Sequence, residues 1–231
     1  MHEDRIRSEY RRMEAEALEK WRSHPSEGNP VDFPYDRSLL AIAMGQYFEP
    51  CQVLSSLLTE LREIARNDTT VEVPDPSWLH MTFLALSPHL YTDGNYPNEL
   101  SIVTDVYDRY APYLNWVVRD VCLLPTSNAL LLAGFPDEDS INLRGIMADE
   151  ILDSAWNPLI TKRYAGFPIP PHIWHTTLMR SHHEFLPEAV RRVYTANRCN
   201  TFAAIHLGQP VLAGVTYNWS RIEIIRRAKN E

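Results

Sequence analysis

The hydrophobic positions change period several times along the chain, and each change marks an element. Residues 3–22 set Ile6, Tyr10, Met13, Ala17 and Trp21 about one turn apart in an otherwise charged segment, which predicts a helix with a narrow apolar stripe. Pro25, Gly28, Pro30 and Pro34 then break the pattern, and residues 23–36 read as a linker. Residues 38–44 read as a strand. Val53, Leu54, Leu57, Leu58, Leu61, Ile64 and Ala65 form one helix face, with Pro50 suited to a first turn. A strand follows at 78–84, a loop at 87–98 and a helix at 99–109. Residues 117–123 and 128–135 read as a hairpin. Residues 137–140 offer a helix N-cap, and Leu143, Ile146, Met147 and Ile151 supply the buried stripe behind it. A long irregular piece at 157–173 leads to a strand at 173–179, a helix at 187–197, and closing strands at 201–207 and 219–225.

The elements form two loosely similar halves. Neither a G-x-G-x-x-G nor a Walker loop is present, so a parallel doubly wound sheet is disfavoured. The pattern predicts an α+β fold with two lobes, its antiparallel sheets facing across a central cleft and its helices packed outside. Residues 1–37 are a charged helix and Pro-rich linker, and residues 38–231 are the two-lobed domain. The helix is expected to dock on its own core or on a partner.

The candidate chemistry lies in two of the strands. Each carries a His and a Thr two apart inside an apolar run, His80-Met81-Thr82 and His175-Thr176-Thr177. Side chains alternate faces along a strand, so His80 and Thr82 share a face, as do His175 and Thr177. Facing each other, the strands present two imidazoles and two hydroxyls: a base, an acid, and donors for phosphoryl oxygens, which suffices for phosphodiester cleavage without a metal. The further H-x-S at His24-Pro25-Ser26 lies in a polar, Pro-rich stretch and lacks this setting.

These motifs resemble the two-histidine (2H) phosphoesterase superfamily, which includes 2′-5′ RNA ligase-like proteins and cyclic nucleotide phosphodiesterases. The resemblance spans about residues 38–227. Residues 37–44 resemble the family's opening strand, 128–134 its mid-chain strand, and 167–180 its second motif, where Trp174 stands in place of a common Pro and Arg180 is kept. It implies the two-lobed fold, catalytic roles for His80, Thr82, His175 and Thr177, and a Tyr near the position of Tyr217.

Composition narrows the substrate. The net charge is −8, and Lys and Arg cluster only at residues 5–12 and 221–229, so a grip on long nucleic acid is not expected. A small nucleotide or short oligonucleotide is the expected partner. No run approaches the ~18 apolar residues of a membrane span, and residues 1–5 lack the apolar core of a signal peptide. The three cysteines, Cys51, Cys122 and Cys199, are scattered and odd in number, as in a reduced cytoplasmic protein.

His172, His175, His182 and His183 invite a metal reading, but their spacing matches no common ligand motif, so neither metal nor cofactor is expected. His2, His24, His89, His182, His183 and His206 read as surface or loop residues. Trp78 and Trp174 flank the motifs, and Trp174, Arg180 and Tyr217 are the candidate substrate contacts, with Tyr217 or Trp219 placed to stack on a base. The sequence thus points to a metal-independent phosphodiesterase acting on a 2′,3′-cyclic phosphate, a 2′-5′-linked oligonucleotide or a cyclic nucleotide. The alternative is a non-catalytic nucleotide- or RNA-binding module of the same fold. The motifs are too alike to say which His is acid and which is base, and unperturbed values near ~6.5 would leave one of each form near neutral pH.

Overall fold

A computed structural model describes residues 2–32 and 36–228. Met1, Pro34 of the linker and Lys229 of the C-terminal basic cluster lie outside the described residues. The α+β class and the two facing antiparallel sheets expected from the sequence are present.

The first sheet has four strands in the order β3 (His80–Ala85), β1 (Ala41–Tyr47), β8 (Val211–Val215) and β9 (Ile222–Arg227). The second has five, in the order β2 (Val71–Glu72), β6 (His175–Ser181), β5 (Ala129–Pro136), β4 (Trp116–Pro125) and β7 (Ile205–Gly208). All neighbours within each sheet are antiparallel. The helices are α1 (His2–Ser23), α2 (Gln52–Ala65), α3 (Leu100–Tyr110), α4 (Glu138–Leu152), α5 (Asn157–Arg163) and α6 (Glu188–Asn197). Among the described residues no helix is long and apolar enough to cross a membrane.

Three expectations need correction. Strand β8 adds a strand between the two closing ones that the pattern predicts, and all five of its residues are buried between β1 and β9. A short apolar run holding Gly214 and preceded by Pro210 looks like a turn until neighbours on both sides supply its ladder. The 157–173 segment opens with α5, whose Pro158 fits a first turn where no N–H partner is needed. Helix α4 is capped as expected, the Asp137 carboxylate accepting from the Ser140 N–H at 2.8 Å, but its buried face is rotated. Ser140, Arg144, Met147, Ala148 and Ile151 point inward, while Ile146 is 45% exposed.

Helix α1 belongs to the same hydrophobic core as both sheets. Ile6, Tyr10, Ala17 and Trp21 are buried in it. The Tyr10 hydroxyl donates to the Gly134 carbonyl at 2.8 Å and accepts from the Trp174 N–H at 3.0 Å. The Trp21 indole donates to the Ser127 carbonyl at 3.1 Å. The buried Arg191 guanidinium on α6 donates to the His24 and Ser26 carbonyls at 2.7 and 2.8 Å. The segment that reads as a charged appendage is therefore bonded to the backbone leading into the second motif strand.

Candidate active site

Strand β3 alternates half-buried His80 and Thr82 with fully buried Met81 and Phe83. Strand β6 repeats the pattern, with His175 and Thr177 half-buried and Thr176 and Leu178 buried. One strand borders the first sheet and the other lies inside the second. Their half-buried faces look into one cavity of about 230 Å³, lined by all four side chains.

Two contacts hold His80. Its Nδ1 lies 2.9 Å from the Trp78 carbonyl, which can only accept, so Nδ1 carries the proton and Nε2 keeps a free lone pair. Its ring stacks on Trp219, centroids 4.5 Å apart and planes 12° apart. Trp219 reaches that position from a tight turn in which its own φ is +57°, uncommon for a bulky residue. Two bonds fix the turn: the Trp219 N–H to the Thr216 carbonyl at 3.0 Å, and the Tyr47 hydroxyl to the Trp219 carbonyl at 2.7 Å. Gly45 clears the space beneath. A Cβ there would lie 2.6 Å from both the Met81 carbonyl oxygen and the Trp219 ring. The β1–β3 register shifts at Met44 and Gly45, bringing Thr82 opposite Gly45 and His80 opposite Tyr47.

The ring of His175 makes no hydrogen bond among the described residues, and its charge environment is cationic. Burial pushes its pKa down to about 3, helped by Arg180, His80, Arg144 and Arg163. Burial likewise pushes His80 down to about 4, against a smaller opposing effect of the Trp78 carbonyl. The expected pair, one neutral and one protonated near neutral pH, is thus replaced in the ligand-free protein by two neutral imidazoles. Desolvation and the arginines disfavour any added positive charge.

The two ends of the cavity differ. At one end Glu72, Trp78, Arg180, Tyr217 and Asn218 form the wall. Glu72 and Arg180 are register partners between β2 and β6. The Tyr217 hydroxyl donates to the Glu72 carboxylate, and burial raises its pKa, so it stays protonated. Arg37 and His182 lie 3.9 and 3.7 Å from the same carboxylate. At the other end stand His89, Arg144, Arg163 and Tyr164. The Tyr164 hydroxyl accepts from the Ala85 N–H at 2.9 Å, and Arg144 donates to the Pro171 and Ile173 carbonyls at 3.1 and 3.3 Å.

Of the sequence-predicted residues, His80, Thr82, His175, Thr177, Arg180 and Tyr217 line this cavity. Trp174 does not. It is 2% exposed and packs in one cluster with Phe83 and Trp116, because just before β6 it alternates with His175 and faces the core. Trp78, 37% exposed, is the tryptophan that faces the cavity. Trp219 supports His80 and has no free face for a base. His89 lies in a loop, as expected, but that loop stands in the cavity wall, and burial pushes the imidazole down to about 4. Glu72, Arg144, Arg163, Tyr164 and Asn218 carried no motif. For Arg144 a signal existed, since it falls on the inward face of α4 with Ser140, Met147 and Ile151 at helical spacing. Among the described residues no three His, Cys, Asp or Glu side chains group as metal ligands would.

No family model matches the chain, and no curated protein matches it. Solved structures do. A conserved protein of unknown function from Agrobacterium tumefaciens aligns over 89% of this chain and 96% of its own, at 14% identity and a TM-score of 0.52. LigT of E. coli in its apo form aligns over 82% of this chain and 97% of its own, at 12% identity and a TM-score of 0.47. At such identity, what the chain shares with the Agrobacterium protein is its fold, across nearly the whole of both molecules.

Proposed function

We propose that this protein is a metal-independent phosphodiesterase of the two-histidine type, acting on a small nucleotide phosphodiester, first among them a 2′,3′-cyclic phosphate. The observation that carries the reading is the convergence of two H-x-T strands, one from each sheet, on a single cavity.

In this reading the two imidazoles take different roles. His80, with Nδ1–H held by the Trp78 carbonyl, offers Nε2 as the base that takes a proton from water. The water oxygen bonds to phosphorus as one ribose oxygen leaves. His175, protonated, passes its proton to that oxygen, so one water is added across the broken P–O bond and the protons balance. His175 takes that proton up from solvent as the substrate binds: the phosphate anion offsets the burial and the arginine charges that disfavour imidazolium in the empty site. Thr82 and Thr177 donate to the non-bridging oxygens, where charge shifts in the transition state. Tyr217 and Trp78 offer aromatic surface to a base, beside polar Asn218 and Glu72.

The test is hydrolysis of nucleoside 2′,3′-cyclic phosphates in the presence of EDTA by the wild type and by His80→Asn and His175→Asn. Each variant should lose roughly 10²–10⁴-fold in turnover. Tight binding without product would favour a nucleotide-binding module, and activity lost to EDTA would favour metal-assisted hydrolysis.

A further inference from the structure

Arg144 is anomalous for a buried cation. It is 3% exposed, and among the described residues no carboxylate lies within ion-pair distance of it. Its guanidinium is held by two backbone carbonyls and lies 4.3 Å over the Trp174 ring, while its buried Nε has no hydrogen-bond partner. Taking a guanidinium out of water without a counter-charge is costly, and its planar fork of donors matches the geometry of a phosphate. Arg163 and His89 stand in the same wall. This end lies past Ala85 on β3 and before His175 on β6, away from the Glu72, Tyr217 and Asn218 end.

We infer that the Arg144 end of the cavity is a second anion subsite, which takes a phosphate on the 5′ oxygen of the nucleotide whose 2′,3′-cyclic phosphate lies between His80 and His175. The inference rests on the proposed phosphodiesterase reading and adds a requirement on the substrate. The cavity has three zones in line: an aromatic and polar end, the His and Thr centre, and the arginine end. A ribose has the same order, with its base on C1′, the cyclic phosphate on C2′ and C3′, and the 5′ carbon on C4′. With the base on Trp78 or Tyr217 and the diester at the centre, the 5′ substituent points to Arg144 and Arg163. The volume of about 230 Å³ is below the roughly 300–1,000 Å³ of pockets that enclose a whole drug-sized ligand, so the reacting sugar and its phosphates are held and further nucleotides extend outside.

Arg144 also braces the 171–173 segment, so a loss of activity alone would not separate binding from positioning. The ratio between substrates does. kcat/KM is to be measured for adenosine 2′,3′-cyclic monophosphate, for the same compound carrying a 5′-phosphate, and for a dinucleotide ending in the same cyclic phosphate. The wild type should prefer the 5′-phosphorylated compound by roughly tenfold or more, as charge-assisted contacts to a guanidinium allow. In Arg144→Gln, and in Arg163→Gln, which leaves the Trp174 stack intact, that preference should collapse toward one. A gain shared by the dinucleotide marks an internucleotide phosphate as sufficient, and a gain confined to the monoester marks a terminal one. Equal constants for all three compounds in the wild type, or a preference unchanged in both variants, would overturn the subsite while leaving the phosphodiesterase reading intact. No turnover of any of the three would instead remove the reading on which the subsite rests.

Discussion

The indole of Trp219 lies flat against the imidazole of His80, with ring centroids 4.5 Å apart, and Gly45 leaves the space that lets it do so. Gly45→Ala should therefore act on both fold and site. The added methyl meets a backbone oxygen that cannot retreat, so overpacking should cost about 1–3 kcal/mol. Trp219 must shift as well, and displacing His80 by about an ångström should cost on the order of a hundredfold in kcat. Chemical denaturation and steady-state kinetics on one preparation check both; wild-type kcat in a destabilised variant would mean that the stack does not position the imidazole.

Substrate binding should take up a proton. With His175 pushed down to about 3 and His80 to about 4, the ligand-free site holds neither imidazolium at neutral pH, yet the proposed reaction needs one. Binding a cyclic nucleotide should absorb close to one proton near pH 7, and kcat/KM should rise throughout as pH falls from about 8 to 5, because both imidazoles of the free site titrate below that window. Calorimetry in buffers of different ionisation enthalpy reads this directly. A binding enthalpy independent of buffer would contradict it.

The same histidines should make the fold acid-labile well above carboxylate pH. His80, His89 and His175 all have folded values below the unfolded value near ~6.5, so below that pH the unfolded chain binds more protons. Their contribution is level above about pH 7. Stability then falls as pH drops from ~6.5 toward about 4, and for His175 toward about 3. His89→Asn should flatten the fall in denaturant midpoint between pH 7 and pH 5, and an unchanged slope would show that His89 protonates freely in the native state.

Tyr10→Phe tests whether α1 supports the second motif. Removing the hydroxyl leaves the buried Trp174 N–H without its acceptor and the Gly134 carbonyl without a donor, at a cost of about 1–3 kcal/mol. Because His175 follows Trp174 directly, kcat should fall along with stability, while KM for a cyclic nucleotide changes less. A purely thermodynamic loss, with kcat intact, would confine α1 to the core.

What the sequence determined is what local periodicity carries. A two-residue repeat puts His80 beside Thr82 and His175 beside Thr177 whatever lies around them, and a 3.6-residue repeat turns Ile6, Tyr10 and Trp21 inward. The Asp137 cap is equally local. The tertiary structure decided everything that joins distant segments. Val211–Val215 is a central strand only because β1 and β9 flank it. Trp174 is core and Trp78 faces the cavity because of where the sheet faces meet, which neither residue's neighbours in the chain reveal. The arginine end of the site comes from α4 and α5, elements with no motif of their own. The low pKa values of His80 and His175 are likewise properties of the assembled cavity, since desolvation and the arginine charges arise only when the second sheet and its helices close over the first.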